Sequence, residues 1–149
     1  MIQYPLNSSE QMMAFSQQLA PNIKAGQVVF LEGDLGAGKT TLVKGLLAAW
    51  GYAGVVTSPT FTLLESYDLA DFSAHHFDLY RMESAEELEM IGARDLFNTS
   101  SICLLEWPQK AAGFLPQPDL TIVIEYVDQG RVVRLLGQGF DTLNLNWNI

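Results

Sequence analysis

The run Gly33-Asp34-Leu35-Gly36-Ala37-Gly38-Lys39-Thr40 constrains this chain more than any other stretch, because it fits G-x-x-x-x-G-K-[ST] at every position. Glycines at these places let the backbone curl until successive N–H groups point inward at phosphate oxygens. A helix opening near Lys39 aims its N-terminal dipole at the same anion. The Lys39 ammonium is placed to reach the β- and γ-phosphates, and the Thr40 hydroxyl to ligate Mg²⁺. The motif demands a strand before it and a helix behind it, and the flanking sequence predicts both. Gln27 to Glu32 (QVVFLE) is a short apolar run between Gly26 and Gly33, which reads as a buried strand. Lys39 to Trp50 reads as a helix with a buried stripe of Leu42, Val43, Leu46, Leu47 and Trp50, and Gly51 closes it as a C′ glycine.

The remaining segments alternate in the same way. Ser8 and Gln11 form a capping box, after which Met12, Phe15 and Leu19 recur at helical spacing. Phe61 to Leu69 and Ala74 to Tyr80 are expected as strands joined by a turn around Asp71 and Ser73. Ser84 and Glu87 form a second capping box, opening an expected helix that carries Leu88, Ile91 and Leu96. Ser101 to Glu106 (SICLLE) is a further buried strand, and Pro108 suits the first turn of a short helix. Leu120 to Tyr126 and Arg131 to Leu136 are expected to pair antiparallel around Asp128-Gln129-Gly130. This order implies an α/β fold: a three-layer P-loop NTPase domain with a mixed parallel/antiparallel sheet. A length of 149 residues suits one domain over 1–149. Residues 138–149, after Gly137, read as a polar tail expected to be poorly ordered.

Charge limits the partners. The chain carries a net charge of −9 with only 8 Lys and Arg. A protein that neutralises many nucleic-acid phosphates by itself needs a basic face. Too few cations remain for one once Lys39 is committed, so any nucleic acid is expected to be held by a partner. The single cysteine, Cys103, rules out an intramolecular disulfide and fits a reducing cytoplasm. The N-terminal residues lack the basic and apolar regions of a signal peptide, and no apolar run approaches the ~20 residues of a membrane span. A soluble cytoplasmic protein is the expectation.

Several residues outside the loop bear on chemistry. A P-loop needs an acid at the end of a neighbouring strand to hold Mg²⁺ or its water, and Glu106 sits directly after Ile102-Cys103-Leu104-Leu105. Asp is the usual residue there. Glu is longer by one methylene, which leaves direct coordination and contact through water both open, beside a plain solvent-facing carboxylate. Ser58-Pro59-Thr60 reads either as a switch segment sensing the γ-phosphate or as a Pro turn with capping hydroxyls. In His76-Phe77-Asp78-Leu79-Tyr80-Arg81, period two puts Phe77 and Leu79 on one side and His76, Asp78 and Tyr80 on the other. That is an amphipathic strand with a wet face, or a strand on which Asp78 orients the attacking water or the metal's shell. Arg81 could touch transition-state charge or a partner. His75 and His76 do not suit a metal pair, since adjacent strand residues face opposite ways. Trp107 is either core or a residue near the nucleotide.

Four segments together resemble one family. They are Gly33-Asp-Leu-Gly-Ala-Gly-Lys-Thr-Thr41, Ser58-Pro-Thr-Phe-Thr-Leu63, His76-Phe-Asp-Leu-Tyr-Arg81 and Leu105-Glu-Trp107. The first is shared by many NTPases. The other three, in this order and spacing, are specific to the TsaE (YjeE) family, the bacterial ATPases of tRNA threonylcarbamoyladenosine formation. The resemblance runs from about Ser8 to Arg134. It implies an ATP hydrolase that uses ATP and Mg²⁺, is slow alone, and works with TsaB and TsaD, which transfer the threonylcarbamoyl group to the adenosine beside the anticodon. tRNA would be met only through those partners. The implied catalytic set is Lys39, Thr60, Asp78, Glu106 and Trp107, with Thr40 and Glu106 on the metal. Asp34, Leu35, Gly36, Ala37, Gly38, Lys39, Thr40 and Thr41 would hold phosphate. Ser8 and Ser9 would lie near the base, and Arg131 near the nucleotide.

A small-molecule kinase using the same loop is the alternative. Its usual arginine-bearing lid has no counterpart here, because Arg81, Arg94, Arg131 and Arg134 are scattered. A GTP switch would carry an N-K-x-D run, which the chain lacks. A nucleotide-binding scaffold without turnover is the remaining reading.

Overall fold

The apolar run before the phosphate loop becomes the central strand of the sheet. A computed structural model describes residues 2–147. In it β2 (Val28–Glu32) pairs in parallel with β5 (Ser101–Glu106) on one side and with β6 (Leu120–Val127) on the other. β4 (Ser73–Asp78) lies parallel to β5, and β3 (Leu64–Asp68) turns back antiparallel to β4. On the far side β7 (Gly130–Leu136) pairs antiparallel with β6, and β1 (Gln3–Leu6) closes that edge antiparallel to β7. The seven strands run in the order β1-β7-β6-β2-β5-β4-β3. The expected mixed sheet is present, with helices on both faces.

Alternation along the strands divides the core. Val29, Leu31, Ile102, Leu104, Ile122 and Ile124 face the two long helices, α1 (Ser9–Leu19) and α2 (Lys39–Ala49). These present Met12, Phe15, Leu19, Leu42, Val43, Leu46 and Leu47. On the opposite face Phe77, Leu79, Cys103 and Leu105 pack against Leu88 of α3 (Glu86–Met90) and against the 3₁₀ turns Ala93–Leu96 and Pro108–Ala111. At Gly45 the two long helices come close enough that an added Cβ would lie 1.7 Å from the Ser16 hydroxyl. Only glycine permits that approach, and the approach fixes α1 against the helix that opens at the phosphate loop.

Caps place the helices. Ser8 accepts the Gln11 N–H at 3.1 Å, while the Gln11 side chain accepts the N–H of Asn7, one residue before the cap. Gly51, at φ +98°, follows the last turn of α2 as expected.

Four expectations change. Strand β1 was not foreseen: four residues containing Pro5 give too short a pattern. Pro5 is tolerated because β1 is an edge strand. The strand expected from Phe61 starts at Leu64, because residues 59–63 form a turn in which Leu63, at φ +69°, donates its N–H to the Pro59 carbonyl. The helix expected to carry Leu88, Ile91 and Leu96 is two pieces. Glu87 accepts the N–H groups of Glu83 and Ser84, but α3 spans five residues and Gly92 at φ +71° interrupts it.

The supposed tail is the fourth change. Over 138–147 it lays Phe140, Leu143, Leu145 and Trp147 against the core on the α1 side. Tyr4 donates its hydroxyl to the Leu143 carbonyl, and Trp147 donates Nε1 to the Pro5 carbonyl at 3.1 Å. The Trp147 ring meets Tyr4 and Phe15 edge-on. Apolar side chains spaced among Asn and Thr were hidden by the polar average. The end of that expectation, Asn148 and Ile149, lies outside the described residues. Among the described residues no helix is long and apolar enough to cross a membrane.

Candidate functional site

The phosphate loop curls through Gly36 at φ +78° and Gly38 at φ +111°, conformations that suit glycine. Gly38 is the N-cap of α2 and makes no side-chain cap, so the N-terminus of the helix opens into the loop. The outer side of the loop is held by the β6–β7 hairpin. Tyr126 donates its hydroxyl to the Leu35 carbonyl at 3.2 Å. Arg131 donates from Nε to the Ala37 carbonyl at 3.1 Å and from Nη2 to that of Gly36 at 3.4 Å. The Arg131 guanidinium also stacks 4.1 Å above the Tyr126 ring. In a planar trans peptide the N–H points opposite to the carbonyl. Turning these three carbonyls toward the hairpin therefore turns the N–H groups of Gly36 and Gly38 away from it, while the Ala37 N–H goes to the Asp34 carbonyl.

Strand ends supply the facing wall. Asp78 and Glu106 are register partners at the C-terminal ends of the parallel strands β4 and β5, where ligands of open α/β sheets bind. Both side chains are buried. His76 donates from Nε2 to Glu106 Oε2 at 2.6 Å, and the other Glu106 oxygen lies 4.0 Å from Lys39 Nζ. Lys39 also donates to the Gly33 carbonyl and sits 4.4 Å over the Trp107 ring. Burial lowers the Lys39 pKa from its ordinary value, against the opposing pull of Glu106, Asp78 and Asp34. Burial likewise raises the Asp78 carboxyl, opposed by the Tyr80 N–H it accepts at 3.1 Å and reinforced by Glu106. Trp107 adopts φ +58°, and Ser58 Oγ lies 2.7 Å from Thr60 Oγ1. Trp107 and Leu63 are the two non-glycine residues with positive φ among those described. Trp107 lines this wall, and the Leu63 carbonyl accepts the N–H of Asp78 at 3.0 Å.

These groups line a cavity of about 290 Å³, which brings together Lys39, Thr40, Thr41, Thr60, Asp78, Glu106 and Trp107 with Leu35, Gly36 and Gly38. A second cavity of about 290 Å³ shares Gly36, Gly38 and Thr41 and extends the other way, to Ser8, Ser9, Ala37 and Arg131. Asp34 lines neither. It faces a larger groove, about 780 Å³, which lies under the turn Pro108–Ala111 and meets the loop through Gly33 and Asp34, with Trp107 beside them. Size does not make that groove the reactive site: Lys39 and the paired carboxylates converge in the smaller cavity.

The residue families present fit Mg²⁺. Thr40 hydroxyl, Asp78 and Glu106 are hard oxygen donors on one cavity, and Mg²⁺ is ordinarily held by one or two carboxylates with phosphates and water completing its shell. No group of three or more His, Cys, Asp or Glu able to hold a metal exists among the described residues, so the ion would depend on nucleotide phosphates. His75 faces away, its ring nitrogens 2.7 Å from Ser66 Oγ and 3.2 Å from Ser101 Oγ.

The family description "Threonylcarbamoyl adenosine biosynthesis protein TsaE" matches residues 6–133. The chain belongs to the TsaE family. Among similar TsaE proteins, that of Haemophilus influenzae is 51% identical over 122 residues, 82% of this chain and 75% of the relative. The Borreliella burgdorferi protein is 38% identical over 87% of this chain and 96% of its own length, and the Bacillus subtilis protein 41% identical over 78% and 72%. The crystal structure of Bacillus subtilis YdiB superposes with a TM-score of 0.74 at 33% identity, covering 89% of this chain and 82% of that one.

Reading the sequence did not anticipate Tyr126 or the part of His76. Tyr126 lies 91 residues from the carbonyl it holds, and no local pattern reports such a contact. His76 carried a signal, because period two already placed it on the face of Asp78.

Proposed function

We propose that this TsaE-family chain binds Mg²⁺–ATP across the two cavities and hydrolyses it in the cytoplasm. Its task within tRNA threonylcarbamoyladenosine biosynthesis would be carried out with TsaB and TsaD. The observation that carries the reading is the convergence of Lys39, Thr40, Thr60, Asp78 and Glu106 on one small cavity at the N-terminus of α2.

The roles follow from chemistry. Inward amides of the loop and the Lys39 ammonium offset phosphate charge, which grows on the γ-phosphoryl oxygens in the transition state. Thr40 and Glu106 would hold Mg²⁺, which supplies further charge stabilisation and orients the phosphates. Asp78, a buried carboxylate in the same cavity, is suited to accept a hydrogen bond from the attacking water. Thr60 sits in the turn of residues 59–63, outside any helix or strand, and can report whether a γ-phosphate is present. Ser8, Ser9 and Arg131 form the wall open to the rest of the nucleotide. The net charge of −9 fits a protein that leaves tRNA to its partners.

The deciding experiment measures phosphate release from ATP by the chain alone and with TsaB and TsaD added. Slow release alone and faster release with both partners is the expected result. Partners that neither bind nor alter turnover would sink the proposal, and phosphate appearing on a metabolite instead of in water would favour a kinase.

A further inference from the structure

Glu106 does not stand alone at the end of β5. His76, on β4, donates to its Oε2 from Nε2 at 2.6 Å, with side-chain exposures of 1% and 5%. A carboxylate oxygen accepts, so Nε2 carries the proton. The other ring nitrogen, Nδ1, is buried and has no hydrogen-bond partner among the described residues. His76 therefore directs its one polar contact at Glu106. Its neighbour His75 shows the contrast, bridging Ser66 and Ser101 with both nitrogens as a cross-strand tie.

The pairing answers a problem set by the choice of Glu. A strand-end Glu has one more torsion than Asp, so its carboxylate can swing. Glu106 must nevertheless face Lys39 and the cavity. With Oε2 held by His76, Oε1 remains on the side of Lys39, 4.0 Å from Nζ. Leaving Nδ1 unpaired in the core costs free energy, and the tie to Glu106 is the return for it.

We infer that His76 is a positioning residue that locks the Glu106 carboxylate so that its free oxygen is presented to the Mg²⁺ shared with Thr40. The inference rests on the proposed metal role of Glu106.

The test is a Mg²⁺ titration of the full chain in complex with a fluorescent ADP, set beside ADP affinity in EDTA. His76→Leu and His76→Asn remove the donor that reaches Glu106, and His76→Gln keeps an amide N–H on a longer arm. The Leu variant, which has no donor, and the Asn variant, whose amide is too short to reach Glu106, should need about 10-fold more Mg²⁺ or higher for half-saturation, the usual cost of losing an outer-shell partner. Their affinity for ADP in EDTA should be unchanged, and His76→Gln should recover most of the Mg²⁺ affinity. Should His76→Leu fail to fold by circular dichroism, the Asn and Gln variants carry the comparison. Unchanged Mg²⁺ demand in the Leu and Asn variants would overturn the inference. So would an equal loss of ADP affinity with and without Mg²⁺, the mark of a purely structural histidine. Glu106→Gln separates the two levels. If it leaves Mg²⁺ demand unchanged, the metal role of Glu106 fails; if it raises the demand and the His76 variants do not, the positioning role alone fails.

Discussion

At the scale of single residues, buried charge is where this chain gives up stability for chemistry. The Asp78 carboxyl is pushed up chiefly by burial. A group whose folded pKa lies above its unfolded value binds its proton more tightly in the native state. Its ionisation thus costs stability as pH rises from the ordinary Asp value through the raised one, so a cost is present at neutral pH. Asp78→Asn should therefore raise Tm at pH 7 and leave it nearly unchanged at a pH below the unfolded value. The same variant should lose at least about 100-fold in ATP turnover, the scale of a missing general base or water-orienting group. Melting curves at the two pH values and a phosphate-release assay check both halves. An Asp78→Asn chain less stable at pH 7 than the native chain would mean that the Tyr80 N–H and the neighbouring cations outweigh burial. Cys103 makes a contrasting case. Its thiol is 1% exposed and pushed up to about 12 by burial, so it holds no thiolate at neutral pH. Iodoacetamide should leave the native chain unlabelled and label it fully in denaturant, as read by intact mass.

At the scale of elements, the β6–β7 hairpin acts as a brace for the phosphate loop. Its two donors fix three successive carbonyls, which a loop rich in glycine cannot do for itself. Tyr126→Phe keeps the ring under Arg131 and removes only the hydroxyl. It should weaken ADP binding by several-fold, the worth of about 1 kcal/mol for one hydrogen bond. Arg131→Ala, which loses two such bonds and the stacking contact, should weaken it further. Binding titrations with both variants test the brace, and a Tyr126→Phe chain with native affinity would count against it. Elements also show what the sequence could disclose. The strand before the loop and the helix after it were legible because the motif demands both, and the acid ending β5 because it closes an unbroken apolar run. The α3 region was not. Its capping signal was real, but Gly92 breaks the helix after five residues, and an apolar count over Leu88, Ile91 and Leu96 is blind to that break. Thr60 and Asp78 could be named from their motifs, whereas their arrival in the cavity of Lys39 depends on how β3, β4 and β5 line up.

For the whole molecule, the nucleotide wall is assembled from segments distant in sequence. Ser8 and Ser9 begin α1, and Arg131 begins β7. The two are joined across the edge of the sheet by the pairing of Leu6 with Arg131. Among the described residues no strand lies beyond β1 at that edge, and residues 138–147 pack against it. Phe140, Leu143, Leu145 and Trp147 join the core on the α1 side, Trp147 meets Tyr4 and Phe15, and two side-chain hydrogen bonds pin β1 and the terminal segment to each other. Local sequence reading missed this pair because β1 and the closing segment make sense only together. Neither has a periodic run long enough to register alone. Removing residues 138–149 should therefore act on both stability and binding. Phe140, 5% exposed, alone accounts for about 1.5–3 kcal/mol of burial, so Tm should fall by several degrees or more. Loosening β1 also moves the Ser8 cap, so affinity for ADP should fall more than affinity for inorganic pyrophosphate, which needs only the loop and Lys39. Calorimetry and paired titrations measure the two effects. Equal losses for both ligands would show that the terminal segment supports the fold without shaping the Ser8 wall.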